Sequence, residues 1–80
     1  MPRWYLHVHD GDKAILDPEG SELPSLAAAR EEALIAAREL LVDGLRSGRD
    51  RLYWRFEIAD ETGAPILMVP FSEMIRERGD

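Results

Sequence analysis

Two histidines stand at His7 and His9, separated by Val8 and followed by Asp10. Residues two apart on a strand share a face. The pair could therefore present two imidazole nitrogens to one Zn²⁺ or similar ion, with Asp10 or Asp12 as an oxygen ligand. Metal-dependent hydrolases use a His-x-His element of this kind. Catalytic zinc usually needs three protein ligands, however, and the chain holds only two histidines. The plainer reading is two polar side chains on the exposed face of an outer strand. Asp10-Gly11-Asp12, with Asp17 and Glu19, forms an acidic cluster whose spacing does not fit an EF-hand. Ala14 falls where an oxygen ligand belongs, and Ile15 replaces the turn glycine. Turn chemistry explains the cluster better.

Three other constellations carry weaker chemistry. With Met1 removed, Pro2 would offer a secondary amine, the base used by tautomerases with an N-terminal proline. Those enzymes pass from first strand directly to helix, whereas a hairpin intervenes here, so a rigid start is the simpler role. Tyr5, Tyr53 and Arg55, with His7, could line an open sheet face and stack single-stranded bases. Glu57 on the same face and the overall acidity oppose that reading. Arg30 lies near the edge of a helix's apolar face and could reach Glu57 or Asp17, pinning helix to hairpin. Arg46, Arg49 and Arg51 read as a solvated loop. No nucleophile–base pair and no phosphate-cradling glycine loop is evident, so neither an enzyme nor a cofactor is expected.

The elements that must position these residues are legible from periodicity. Residues 3 to 9 alternate, with Trp4, Leu6 and Val8 on one side and Arg3, Tyr5, His7 and His9 on the other. Asp10-Gly11-Asp12 makes a turn into a short second strand, Ala14 to Leu16, which Asp17-Pro18-Glu19-Gly20-Ser21 ends. A helix is expected from Leu26 to Ser47, with Ser25 as N-cap. Leu26, Ala29, Ala33, Ala37, Leu40, Leu41 and Gly44 share its core face, and Gly48 closes it in a left-handed conformation. Residues 52 to 59 alternate as a third strand. Asp60 to Gly63 is a hairpin loop. Ile66 to Phe71 form a last strand, which Pro65 and Pro70 assign to a sheet edge. Ser72 to Ile75 begin a helical turn, and 76–80 form a polar tail expected to fray. The expected fold is α+β: a two-layer ββαββ arrangement, a four-stranded and mainly antiparallel sheet with one long helix on one face.

Eighty residues leave room for one small domain, 1–80. A net charge of −6 argues against a broad phosphate-binding surface. No apolar run approaches the roughly 20 residues that cross a membrane, and the opening Met-Pro-Arg-Trp lacks a signal-peptide stretch. The expected location is cytoplasmic. Two surfaces are more apolar than a monomer needs. The last strand is apolar on both sides, Ile66 and Met68 opposing Leu67, Val69 and Phe71. On the helix, Ala28, Ile35 and Val42 recur every seven residues away from the core. Scattered surface hydrophobes are common. So short a chain gains from extra burial, which favours a homodimer or another protein partner.

The order of several motifs also resembles a known family. Pro2-Arg3-x-Tyr5-x-His7 opens the chain. Asp17-x-x-Gly20-x-x-Leu23-Pro24-x-Leu26-x-x-Ala29-Arg30-x-x-Ala33 leads into the helix. Trp54-x-x-Glu57, Asp60-x-x-Gly63 and Pro70-Phe71 follow. This pattern, over nearly the whole chain, resembles small bacterial proteins grouped as a domain of unknown function. The resemblance implies a bacterial, cytoplasmic protein and carries no activity, cofactor or site residue. The leading expectation is a non-enzymatic interaction or regulatory module that self-associates through the open sheet face or the Ile35/Val42 stripe. The alternatives are a nucleic-acid or toxin-partner binder through Tyr5, Tyr53 and Arg55, and a metal site at His7 and His9.

Overall fold

In the computed structural model, which describes residues 1–75, the alternating segment at the start forms β1, Arg3–Asp10. A two-residue turn, with Gly11 at φ +63°, returns the chain into β2, Lys13–Ile15. The two strands align Val8 with Ile15 and Asp10 with Lys13. Leu16 falls outside the strand and is exposed. The segment expected only to break structure contains a further short strand, β3, Ser21–Glu22, which pairs with Arg3 and Trp4 at the other end of β1.

Helix α1 runs Leu26–Arg46. Ser25 caps it as expected: its hydroxyl oxygen accepts from the Ala28 N–H at 3.1 Å. At the other end the Ser47 N–H reaches the Asp43 and Gly44 carbonyls, and Gly48 adopts φ +73°. Ala29, Ala33 and Ala37 are wholly buried, so small side chains let the helix lie close to the sheet. The buried face is rotated slightly from the expected one. Leu34 is in the core, whereas Leu26 and Leu40 are only half-buried at its margin.

The third long strand starts later than its alternation suggested. β4 is Arg55–Ala59, because residues 50–54 are taken up by turns. The Asp50 carboxylate accepts from the Leu52 N–H at 2.9 Å, and the Trp54 N–H donates to the Arg51 carbonyl at 3.0 Å. β5, Pro65–Pro70, follows the hairpin loop and lies at the sheet edge, where its prolines forfeit no ladder bond to a neighbour beyond. The sheet order is β2-β1-β4-β5, with every pairing antiparallel and β3 joined to β1. A register shift at Ile58/Ala59 marks the entry to the loop.

The helix covers one sheet face. Phe56, Ile58, Val69 and Phe71 meet the helical alanines, Leu34 and Leu41. Phe71 stacks on Phe56, with centroids 5.2 Å apart, and meets Trp54 at 5.9 Å. After Phe71 a helical turn begins, as its sequence suggested. The expected frayed tail, 76–80, lies outside the described residues.

Arg51 departs from the solvated loop it was expected to join. Its side chain is only 12% exposed and lies across the end of α1. One terminal nitrogen donates to the Leu40 carbonyl at 3.0 Å and pairs with Asp43 at 3.1 Å, and the guanidinium rests 4.7 Å from the Trp54 ring centre. Gly44 makes room, since a Cβ there would sit 3.0 Å from Arg51 Cδ. The two carboxylates expected to receive Arg30 have other partners. Glu57 pairs with His9 on the face away from the helix, and both Asp17 oxygens accept backbone N–H groups.

Gly20 carries the sharpest backbone constraint. Its φ is +70°, and a Cβ would lie 2.9 Å from the Trp4 carbonyl oxygen and from Tyr5 Cε2. Gly20→Ala is expected to lower stability by about 1–3 kcal/mol, the scale of a strained backbone position. Denaturant unfolding checks this, and an unchanged midpoint would contradict the close approach.

Candidate functional site

Among the described residues, the outer edge of β1 is paired only near its ends, by β3 at Arg3–Trp4 and by β2 at Val8–Asp10. The segment 16–20 crosses the gap between them. One Asp17 carboxylate oxygen accepts from the Leu6 N–H at 3.1 Å, and the other accepts from the Gly20 N–H at 3.1 Å. The Asp17 N–H in turn donates to His7 Nδ1 at 3.0 Å. A buried strand N–H without an acceptor is costly. Here a side chain replaces the missing strand.

The groups around this junction continue the pattern. Arg3 donates to the Glu19 carbonyl at 2.8 Å and pairs with Glu22 at 3.1 Å. The Trp4 indole N–H donates to the Leu23 carbonyl at 3.1 Å, and the Leu23 N–H donates to the Pro2 carbonyl. The Tyr5 and His7 rings stack with centroids 6.2 Å apart. An open cleft of about 410 Å³ sits beside them, lined by Tyr5, His7, Leu16, Asp17, Glu61 and Thr62 among others. With Nδ1 serving as acceptor, the neutral His7 ring carries its proton on Nε2. Glu61, also at the cleft, accepts from the Arg3 N–H at 3.1 Å.

The rest of the uncovered sheet face is mixed. His9 Nε2 lies 2.8 Å from a Glu57 carboxylate oxygen, in the middle of the face. Arg55 is aligned with His9 on one side and Pro70 on the other. Ile66 and Met68 are exposed by 44% and 43%, so the outer side of β5 is uncovered, as its two-sided apolar pattern foretold. The expected aromatic–basic platform is not assembled as one patch. Tyr5 is aligned with Ala59, while Arg55 is aligned with His9, four residues or roughly 13 Å along the strand. Tyr53 precedes β4, and its hydroxyl donates to the Asp10 carboxylate at 2.9 Å.

His7 and His9 share a strand face as expected but have different partners, a backbone N–H and a carboxylate. Among the described residues no group of three or more His, Asp or Glu side chains is placed to hold a metal ion. On the helix, Ile35 and Val42 are exposed by 52% and 43% and flank a shallow furrow of about 390 Å³ with Arg38, Glu39, Asp43 and Arg46. The reading of isolated residues missed the Asp17 junction. The spacing Tyr5-x-His7 with Asp17-x-x-Gly20 was the available signal, because Asp followed by Gly three residues later suits a side chain that closes its own turn.

The fold and this junction define an open-faced antiparallel sheet backed by one helix. The chain belongs to a family described as Domain of unknown function (DUF6894), whose model matches residues 3–72. No curated protein and no solved structure matches it. The match begins at Arg3 and ends at Ser72, so it spans the junction, the helix and both hairpins.

Asp17→Asn puts an amide donor where one of two backbone N–H groups needs an acceptor. It is expected to lower stability by about 1–3 kcal/mol, the scale of one unsatisfied buried group. Amide hydrogen exchange at Leu6 or Gly20 should accelerate with it. Unaltered exchange at both positions would rule out the bridging role.

The hairpin loop offers a separate test. The Asp60 carboxyl is held below its ordinary value, chiefly by the Thr62 hydroxyl; desolvation opposes this, and the Thr62, Ala64 and Gly63 N–H groups lower it further. A carboxylate lowered in the folded state adds stability that is complete above its unfolded pKa and disappears as pH falls through the lowered value. Neutral pH therefore leaves the loop intact. Thr62→Val removes the largest cause, so the Asp60 midpoint read by carboxyl-carbon NMR should rise. A fixed midpoint would assign the shift to the backbone donors.

Proposed function

We propose that this chain is a non-enzymatic interaction module that self-associates through its solvent-facing apolar side chains. One observation carries the reading. The residues best suited to chemistry are employed in holding the fold, while apolar side chains remain on the outside. His7 and Asp17 bridge a gap in the sheet, His9 pairs with Glu57, and the Tyr53 hydroxyl holds the β1–β2 turn. Ile35 and Val42 on α1, and Ile66 and Met68 on β5, stand exposed in two separate patches. A core of this size gains stability when such surface is covered. The resemblance to small bacterial proteins supports a bacterial cytoplasm as the setting.

Light scattering across a wide concentration range tests the proposal. The mass should rise from 9.1 kDa toward twice that value. The rise should disappear in either the Ile35→Glu/Val42→Glu pair or the Ile66→Thr/Met68→Thr pair, with circular dichroism unchanged. A chain that stays monomeric at every concentration overturns the reading.

A further inference from the structure

We propose that two copies of this chain pair through α1, antiparallel, about a two-fold axis passing between Arg38 and Glu39. This inference rests on the self-association reading and names its surface, register and occupant. Its basis is the order of residues along the exposed face of the helix: Glu31, Ile35, Arg38, Glu39, Val42 and Arg46, all exposed. A two-fold between Arg38 and Glu39 sets Ile35 of one copy against Val42 of the other. The same operation sets Arg38 against Glu39 and Glu31 against Arg46. Among these six residues each apolar side chain meets an apolar one and each charge meets its opposite, twice over by symmetry, while Asp43 at the furrow's border stays paired with Arg51 of its own copy.

The other arrangement of two helices fails on the same residues. A parallel pairing in register places Arg38 on Arg38, Glu39 on Glu39 and Glu31 on Glu31, which opposes like charges along the seam. The open sheet face is the weaker candidate for a symmetric contact. Its centre is the His9–Glu57 pair, which an interface there would have to strip of water. On α1 the charges flank the apolar stripe, where they remain wet and guide the pairing. The furrow between Ile35 and Val42 gives room for the facing side chains.

The contact is modest. From Glu31 to Arg46 the helix rises roughly 22 Å at 1.5 Å per residue. One such helix pair buries less than about 1,200 Å², the range of transient association. The dimer should therefore build up gradually with concentration.

The chain contains no cysteine, so single-cysteine variants report the register cleanly. Arg38→Cys, beside the axis, should form a disulfide-linked dimer when an oxidant is added. Glu31→Cys alone and Arg46→Cys alone should not, whereas an equal mixture of the two should cross-link. Without oxidant, Arg38→Glu should weaken association on the order of tenfold, the scale of opposed like charges at a contact. Adding Glu39→Arg should restore it. All these positions are exposed, so the fold is retained. If Glu31→Cys cross-links to itself, the helices run parallel and the inference is overturned. If the protein dimerises while no helix variant cross-links or weakens it, the inference falls and the self-association reading stands. A monomer at all concentrations removes both.

Discussion

Eight residues of β1 run down the sheet, but among the described residues its outer edge finds strand partners only near its two ends. Asp17 closes the interval, and the rest of the N-terminal half depends on it. Its carboxylate takes the Leu6 N–H and, through Gly20, fixes the turn that brings β3 back beside Trp4. That return places the Leu23 carbonyl under the Trp4 indole and delivers the chain to Ser25, where α1 begins. The sheet's incomplete edge, the short β3 and the entry angle of the helix are one linked arrangement. A longer β2 would pair Leu6 directly and leave Asp17 with nothing to do.

This arrangement engages chemically versatile residues in holding the backbone. An imidazole that accepts a backbone N–H at Nδ1 has committed one nitrogen, and a carboxylate bridging two amides has committed both oxygens. Their proximity to a cleft follows from the crossing segment, which raises one wall while Glu61 and Thr62 form another. Such a junction favours order over reactivity, since moving either group would release amides that the sheet cannot satisfy.

The periodic parts of this fold were legible from residues alone. Alternation in β1, the Ser25 cap, the Gly48 terminus and the edge position marked by Pro65 and Pro70 each rest on a local rule, and the structure follows each. Legibility failed where a side chain competed with the backbone pattern. Leu52 and Trp54 alternate like strand residues, yet Asp50 captures the Leu52 N–H and the strand starts at Arg55. Ser21–Glu22 is too short to show a period, and its pairing follows a turn that Asp17 closes from three residues before Gly20. Arg51 read as solvated because the rule for charged loop residues is blind to a glycine seven residues earlier that opens a seat beside Trp54. The same limit applied to the candidate sites. Sharing a strand face was readable for His7 and His9, but the different partner each would acquire was set by segments far along the chain.

The sheet's edges bear on how such a molecule can associate. β5 has proline at both ends, which removes two donors from its length and discourages a further strand from adding there. β2 is three residues long and carries Lys13. Growth by edge-to-edge pairing, the usual hazard of an open sheet, is thus blunted on both sides. What remains is association through faces, and the two faces differ in kind. The uncovered sheet face presents a hydrogen-bonded His9–Glu57 pair near its centre, so covering it removes polar groups from water. The helix reverses that order, with apolar residues along the centre and charges at the borders, so covering it leaves the charges hydrated. The same alternation that gave α1 a buried stripe against the sheet leaves a second, narrower stripe half a turn away. The physics that attached the helix to its own sheet can therefore attach it, more weakly, to another.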